Sequence, residues 1–182
     1  MRLSIISFFL FFTLIACNNE IHPFEKEISE VDENLVYVDS LNEVFYAVDT
    51  LAIQSEFPLV DSIHQIMTGP SAPEDKAYWT NTIRALQIVH RPYSKFLRDA
   101  PKIRKNLAYS KSQLQALRNS LLDQKLDSTK AAEYIQTEAT ALRELALLLN
   151  KRIPPVKVAI GVWDTAQARY LDMLAKNDSL GQ

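Results

Sequence analysis

The side chains best suited to chemistry in this 182-residue chain are few. Its only imidazoles are His22, His64 and His90, and its only thiol is Cys17. A helical bundle can hold paired metal ions through Glu-x-x-His motifs, which set an acid and an imidazole one turn apart on facing helices. The residues three before the histidines are Asn19, Asp61 and Gln87, so no such motif exists. Asp61-x-x-His64 gives one acid–imidazole pair on one helix face. His90 and Glu138 fall within the apolar stripes of two helices. They are expected either to meet inside the bundle as a hydrogen-bonded pair or to lie at a stripe edge open to solvent. No metal site and no cofactor follow from this set.

Other catalytic patterns are missing. There is no Gly-x-Ser-x-Gly. A phosphate-cradling loop needs glycines whose backbone approaches the anion, and the three glycines, Gly69, Gly161 and Gly181, are scattered. Carboxylate pairs of the glycosidase kind carry no specificity among 22 acidic residues. The expectation is that the chain is not an enzyme.

Cys17 has a different chemistry in view. Arg2 is a minimal basic start, and Leu3 to Ile15 is an apolar run holding Phe8, Phe9, Phe11 and Phe12. This is the layout of a secretory signal peptide over residues 1–16. The run is shorter than the roughly 20 residues that span a bilayer. The tetrapeptide Leu14-Ile15-Ala16-Cys17 resembles the bacterial lipobox. That resemblance implies a thioether to diacylglycerol on the Cys17 sulfur, cleavage before Cys17 and acylation of its new amine. Two or more chains give stable anchoring, and a thiol used this way needs no disulfide partner. The absence of Asp after Cys17 implies the outer membrane, at its periplasmic face or at the cell surface. The phenylalanine-rich leader and the Asn18-Asn19-Glu20 start are similar to small helical lipoproteins of the Bacteroidota. Residues 17–28, polar and holding Pro23, read as the lipidated cysteine and a tether.

Residues 29–182 are then one domain, long enough for a real core. Scarce glycine favours helices over strands and tight hairpins, and a charged fraction of 23% is that of a globular chain. Apolar residues recur in steps of three and four, as on one buried helix face. Val31, Leu35, Val38, Asn42, Phe45 and Val48 form a first stripe, starting near Ser29 and continuing through Phe57, Val60, Ile63 and Met67. Pro58 is expected to kink it. Residues 68–73, TGPSAP, read as a loop. Trp79, Ile83, Leu86, His90, Tyr93 and Leu97 mark a second helix, kinked at Pro92. A third begins at Pro101, where a missing N–H costs nothing, and carries Ile103, Leu107, Ser110, Leu114, Leu117 and Leu121. Ser128 is expected to cap a fourth with Ala131, Ile135, Glu138, Leu142, Leu145 and Leu149, ended by Ile153-Pro154-Pro155. A last helix runs from about Val158 through Trp163, Ala166, Tyr170 and Met173. The expected fold is all-α, an antiparallel bundle of four to five helices with heptad-like packing.

Charge is unevenly spread. From Glu20 to Asp75 there are 13 acidic residues against Lys26 alone. From Arg84 to Lys111 there are 8 basic residues against Asp99 alone. Arg84, Arg91, Lys95, Arg98 and Lys102 fall within an arc of about 60° on a helix turning about 100° per residue. This basic ridge is expected to be solvated, to meet the acidic first helix, or to contact lipid headgroups, an acidic glycan or an acidic partner. A net-acidic secreted chain is a poor nucleic-acid binder. Tyr78, Trp79, Tyr93, Phe96, Tyr134, Trp163 and Tyr170 sit mostly at helical spacing, so core packing is the expectation for them. The sequence thus points to a membrane-anchored interaction or scaffold module of the envelope, with a protein partner or a second copy. A binder of a small or lipidic ligand near Pro58 and Pro92 stands as the alternative, with a metal-dependent enzyme using His64 and His90 as the remoter one.

Overall fold

The computed structural model describes residues 22–69 and 76–180. The leader, Cys17 and most of the 68–73 loop lie outside these residues, as do the side chains of Tyr78, Trp79 and Met173. Four helices account for the described chain: α1 (Glu25–Tyr46), α2 (Thr50–Thr68), α3 (Lys76–Leu122) and α4 (Ser128–Leu180). The fold is all-α, with no strand among the described residues.

Cross-helix contacts give the topology. Asp32 meets Arg118, Asp39 meets Lys111, Glu56 meets Tyr93 and Asp61 meets His90. As α1 and α2 ascend, their partners on α3 descend, so the two form one segmented strut antiparallel to α3. Asp99 meets Arg152 and Thr82 meets Tyr170, so α4 is also antiparallel to α3. The result is a bundle of three long struts. α1 packs against both α3 and α4, whereas α2 packs chiefly against α3.

The breaks differ from the expected ones. Pro58, Pro92, Pro101, Pro154 and Pro155 all lie inside helices. The expected second and third helices are therefore one, as are the fourth and the last. The core explains why. On α3 the buried positions are Leu86, Val89, Tyr93, Phe96, Ala100, Ile103, Leu107, Ser110, Leu114, Leu117 and Leu121. They alternate steps of three and four without interruption, the heptad rhythm of a coiled-coil seam. The prolines occupy other positions, so burial along the whole seam outweighs a local penalty of about 3 kcal/mol each. On α4 the buried row likewise passes from Leu149 through Ile153, Val156 and Ala159 to Trp163 and Tyr170.

The first strut breaks at Ala47–Asp49, not at Pro58. Asp49 caps α2, its Oδ1 accepting from the Ala52 N–H at 2.9 Å. Asp127, and not Ser128, caps α4, accepting from the Lys130 N–H at 2.9 Å. α1 begins at Glu25, inside the stretch read as tether. The α3–α4 turn closes with Lys125 N–H donating to the Ser120 carbonyl (2.9 Å) and Gln124 N–H donating to that of Leu121 (3.0 Å). These are the two bonds of a Schellman motif.

Candidate functional site

The histidine cluster lies on the α2–α3 seam. Asp61 and His64 share a face of α2 one turn apart, and His90 projects from the edge of the α3 stripe, next to the buried Val89. His90 Nε2 lies 2.8 Å from Asp61 Oδ1. The His64 and His90 rings stack with centroids 4.0 Å apart and planes 7° from parallel. Phe57 adds a third ring, 5.4 Å from His90. One turn away, the Tyr93 hydroxyl donates to Glu56 Oε2 at 3.0 Å, and burial first, then this carboxylate, pushes its pKa well up. Burial and then the His90 ring hold His64 below the ordinary imidazole value of 6.5, with Asp61 opposing and Arg91 adding to the effect. Imidazole lone pairs lie in the ring plane, so rings stacked face to face do not converge on one ion. Among the described residues no group of three or more His, Cys, Asp or Glu is arranged to hold a metal.

His90 and Glu138 do not meet. Glu138 faces Ser110 across the α3–α4 seam, where these two replace the apolar pair of the neighbouring layers. Ser110 is buried, and one Glu138 oxygen is buried without a hydrogen-bond partner. Desolvation raises the Glu138 pKa, and the Ser110 hydroxyl pulls it back. The carboxyl stands between two hollows of the outer seam. One, of about 400 Å³, is lined by Lys102, Asn106, Tyr109 and Glu144. The other, of about 220 Å³, is lined by Gln113, Leu126, Tyr134 and Thr137. Tyr134 is therefore a groove residue, while Tyr93, Phe96, Trp163 and Tyr170 are core.

The basic ridge is exposed along its length: Arg84, Arg91, Lys95, Arg98 and Lys102 all face solvent. It does not meet the acidic first helix. Asp32 and Asp39 of α1 pair instead with Arg118 and Lys111, lower on α3. Arg98 bonds to its neighbour Asp99 at 3.0 Å. Arg84, Arg91, Lys95 and Lys102 have no ion pair among the described residues. Arg91 and Lys95 border a cleft of about 200 Å³ with Lys151 and Arg152 of α4, floored by Pro92 and Pro155. Arg152 is held by Asp99 at 2.6 Å, which leaves Arg91, Lys95 and Lys151 as its free cations. The sequence pattern indicates the ridge but not Lys151, which comes from a helix 56 positions further on and joins only through the seam.

Cys17 lies outside the described residues, and among those described no helix is long and apolar enough to cross a membrane. The chain matches no protein-family model, no curated protein and no solved structure.

Proposed function

We propose that this chain is a lipid-anchored interaction module of the cell envelope, held at Cys17 and engaging an acidic partner protein along the upper α3–α4 seam. The observation that carries the reading is the unpaired set Arg91, Lys95 and Lys151 around an apolar proline floor. Exposed charges of one sign steer an oppositely charged partner, and the apolar floor offers dry area at the centre of the contact.

The shape is consistent with this reading. His22 lies against the Leu122 carbonyl at 3.4 Å, so the N-terminal end sits beside the α3–α4 turn. From there to Lys102 is about 30 Å along α3, at roughly 1.5 Å per residue. An anchor at Cys17 leaves an upright body presenting its ridge away from the bilayer.

The test is a cross-linked pull-down of the tagged full-length protein from native membranes. Cys17→Ala and the double variant Arg91→Glu/Lys95→Glu serve as comparisons. The expected result is one dominant partner, lost on charge reversal and depleted when the anchor is removed. A monomer that captures nothing in any form overturns the reading. A bound small molecule in native mass spectra would shift the assignment to a ligand carrier, using the Pro92–Pro155 cleft.

A further inference from the structure

The α2–α3 seam carries two imidazoles in van der Waals contact and only one carboxylate bonded to them. We propose that His64 and His90 form a proton-operated latch on α2: protonating both rings loosens α2 from α3 and uncovers its apolar strip, Ile53, Val60, Ile63 and Met67. The inference does not depend on the anchor or on the acidic partner.

Three structural features combine. First, α2 is a separate unit, cut from α1 at Ala47–Asp49 and started by its own cap. Second, it is the element with the least support, because it packs chiefly on α3 while α1 is wedged against both α3 and α4. Third, its polar contacts to α3 are titratable: Asp61 to His90 and Glu56 to Tyr93.

The charges facing the pair set the sign. α2 contributes Asp61 and Glu56, α3 contributes Arg91 and Tyr93, and α4 reaches the same level with Asp164, which acts on Tyr93. Asp61 bonds His90, and Glu56 accepts from the Tyr93 hydroxyl. One proton on the pair is therefore balanced by Asp61. A second puts two like charges on rings 4.0 Å apart, beside the cationic Arg91. A histidine whose folded value is depressed takes up its proton more readily in the unfolded chain. Its contribution is complete above 6.5 and falls away as the pH drops through the folded value.

Hydrogen exchange on the full-length chain in mild detergent tests the latch. Rates at about pH 7.5 and about pH 5.5, corrected for intrinsic exchange, bracket the imidazole range. The expected result is a several-fold loss of protection confined to α2 amides, with about tenfold the ceiling for one depressed histidine between these pH values, and with α3 and α4 unchanged. His64→Gln removes the second charge, and His64→Phe keeps a stacking ring that cannot be protonated. Both should hold α2 closed at the lower pH. Unchanged α2 protection in the parent chain overturns the latch, as does an equal loss in either variant. Should both variants misfold, imidazole NMR titration of the parent chain decides. Two separated steps, with α2 shifts following the second, support the latch, and independent ordinary titrations refute it.

Discussion

Glu138 meets Ser110 across the α3–α4 seam, and one of its oxygens is buried there with no partner. Desolvation raises this carboxyl above its ordinary value of 4.5, so the fold prefers the protonated form. The penalty is absent well below 4.5, grows as the pH rises from there and is complete above the folded value. Glu138→Gln should therefore stabilise the protein by about 1 kcal/mol at neutral pH, the lower end of the cost of an unsatisfied buried polar group. In a chain of this size that raises Tm by roughly 2–4 °C. Thermal melts across pH check the cause: the gain should vanish near pH 4, about where Glu138 is protonated in both states. A pH-independent gain would mean that packing, not charge, separates the two side chains.

The Asp99–Arg152 pair is the best-shielded ion pair among the described residues, at 2.6 Å with side chains 18% and 12% exposed. Asp99 also accepts from Arg98, the largest influence holding its carboxyl below the ordinary value of 3.8, followed by Arg152. Removing one partner leaves the other charge poorly solvated. Arg152→Ala should cost about 2–3 kcal/mol, somewhat under the range for a fully buried pair. Asp99→Leu/Arg152→Met should fall within about 1 kcal/mol of the parent chain. Urea unfolding of the single and double variants measures both. A depressed carboxylate stabilises above its unfolded value and loses that contribution as the pH falls through the folded one. The Arg152→Ala deficit should accordingly narrow below pH 3.8.

The helical class, the buried faces and the α3–α4 hairpin were legible because they rest on periodicity, which burial enforces over many residues. The breaks were not, because proline signals compete with that periodicity and here lose to it. The deciding pattern was present. From Leu86 to Leu121 the steps of three and four run unbroken across Pro92 and Pro101, with Ser110 the one polar member, provided Val89 and Phe96 are taken in place of their neighbours His90 and Leu97. The true break at Ala47–Asp49 also leaves a trace, since the step from Val48 to Ile53 is five. The ridge could be read from one helix. Neither the His64–His90 stack nor the entry of Lys151 into the cleft could, because both depend on the register between struts.

Pro101 gives that competition a measurable size. It is exposed inside α3 and, having no N–H, cannot donate to the Leu97 carbonyl four residues back. Proline in a helix interior costs about 3 kcal/mol relative to alanine. It recovers roughly 0.4–1 kcal/mol by restricting the unfolded chain. Pro101→Ala should therefore stabilise the protein by about 2 kcal/mol, the interior cost less the unfolded-state gain. Chemical denaturation checks this, and a lower midpoint would show that the proline shapes the seam in a way alanine does not reproduce.

Gln124 closes the α3–α4 hairpin in a conformation that suits another residue. Its φ of 52° makes it the positive-φ non-glycine residue among those described. It occupies the position after the helix end that most often holds glycine, with the Ser120 and Leu121 carbonyls accepting from the two turn amides. A side chain in the left-handed region costs about 1 kcal/mol through the Cβ–carbonyl clash. Glycine escapes that cost but gives up part of the gain to its larger unfolded-state entropy. Gln124→Gly should raise stability by about 0.5 kcal/mol, and Gln124→Val should lower it by more than 1 kcal/mol, because branching at Cβ tightens the clash. Melting the pair side by side separates the backbone effect from any loss of side-chain contact. If both variants destabilise equally, the glutamine side chain itself holds the turn. If they diverge as expected, the hairpin tolerates a strained residue because the seam on either side of it, from Leu114 to Leu121 and from Ala131 to Leu142, fixes the geometry that the turn must complete.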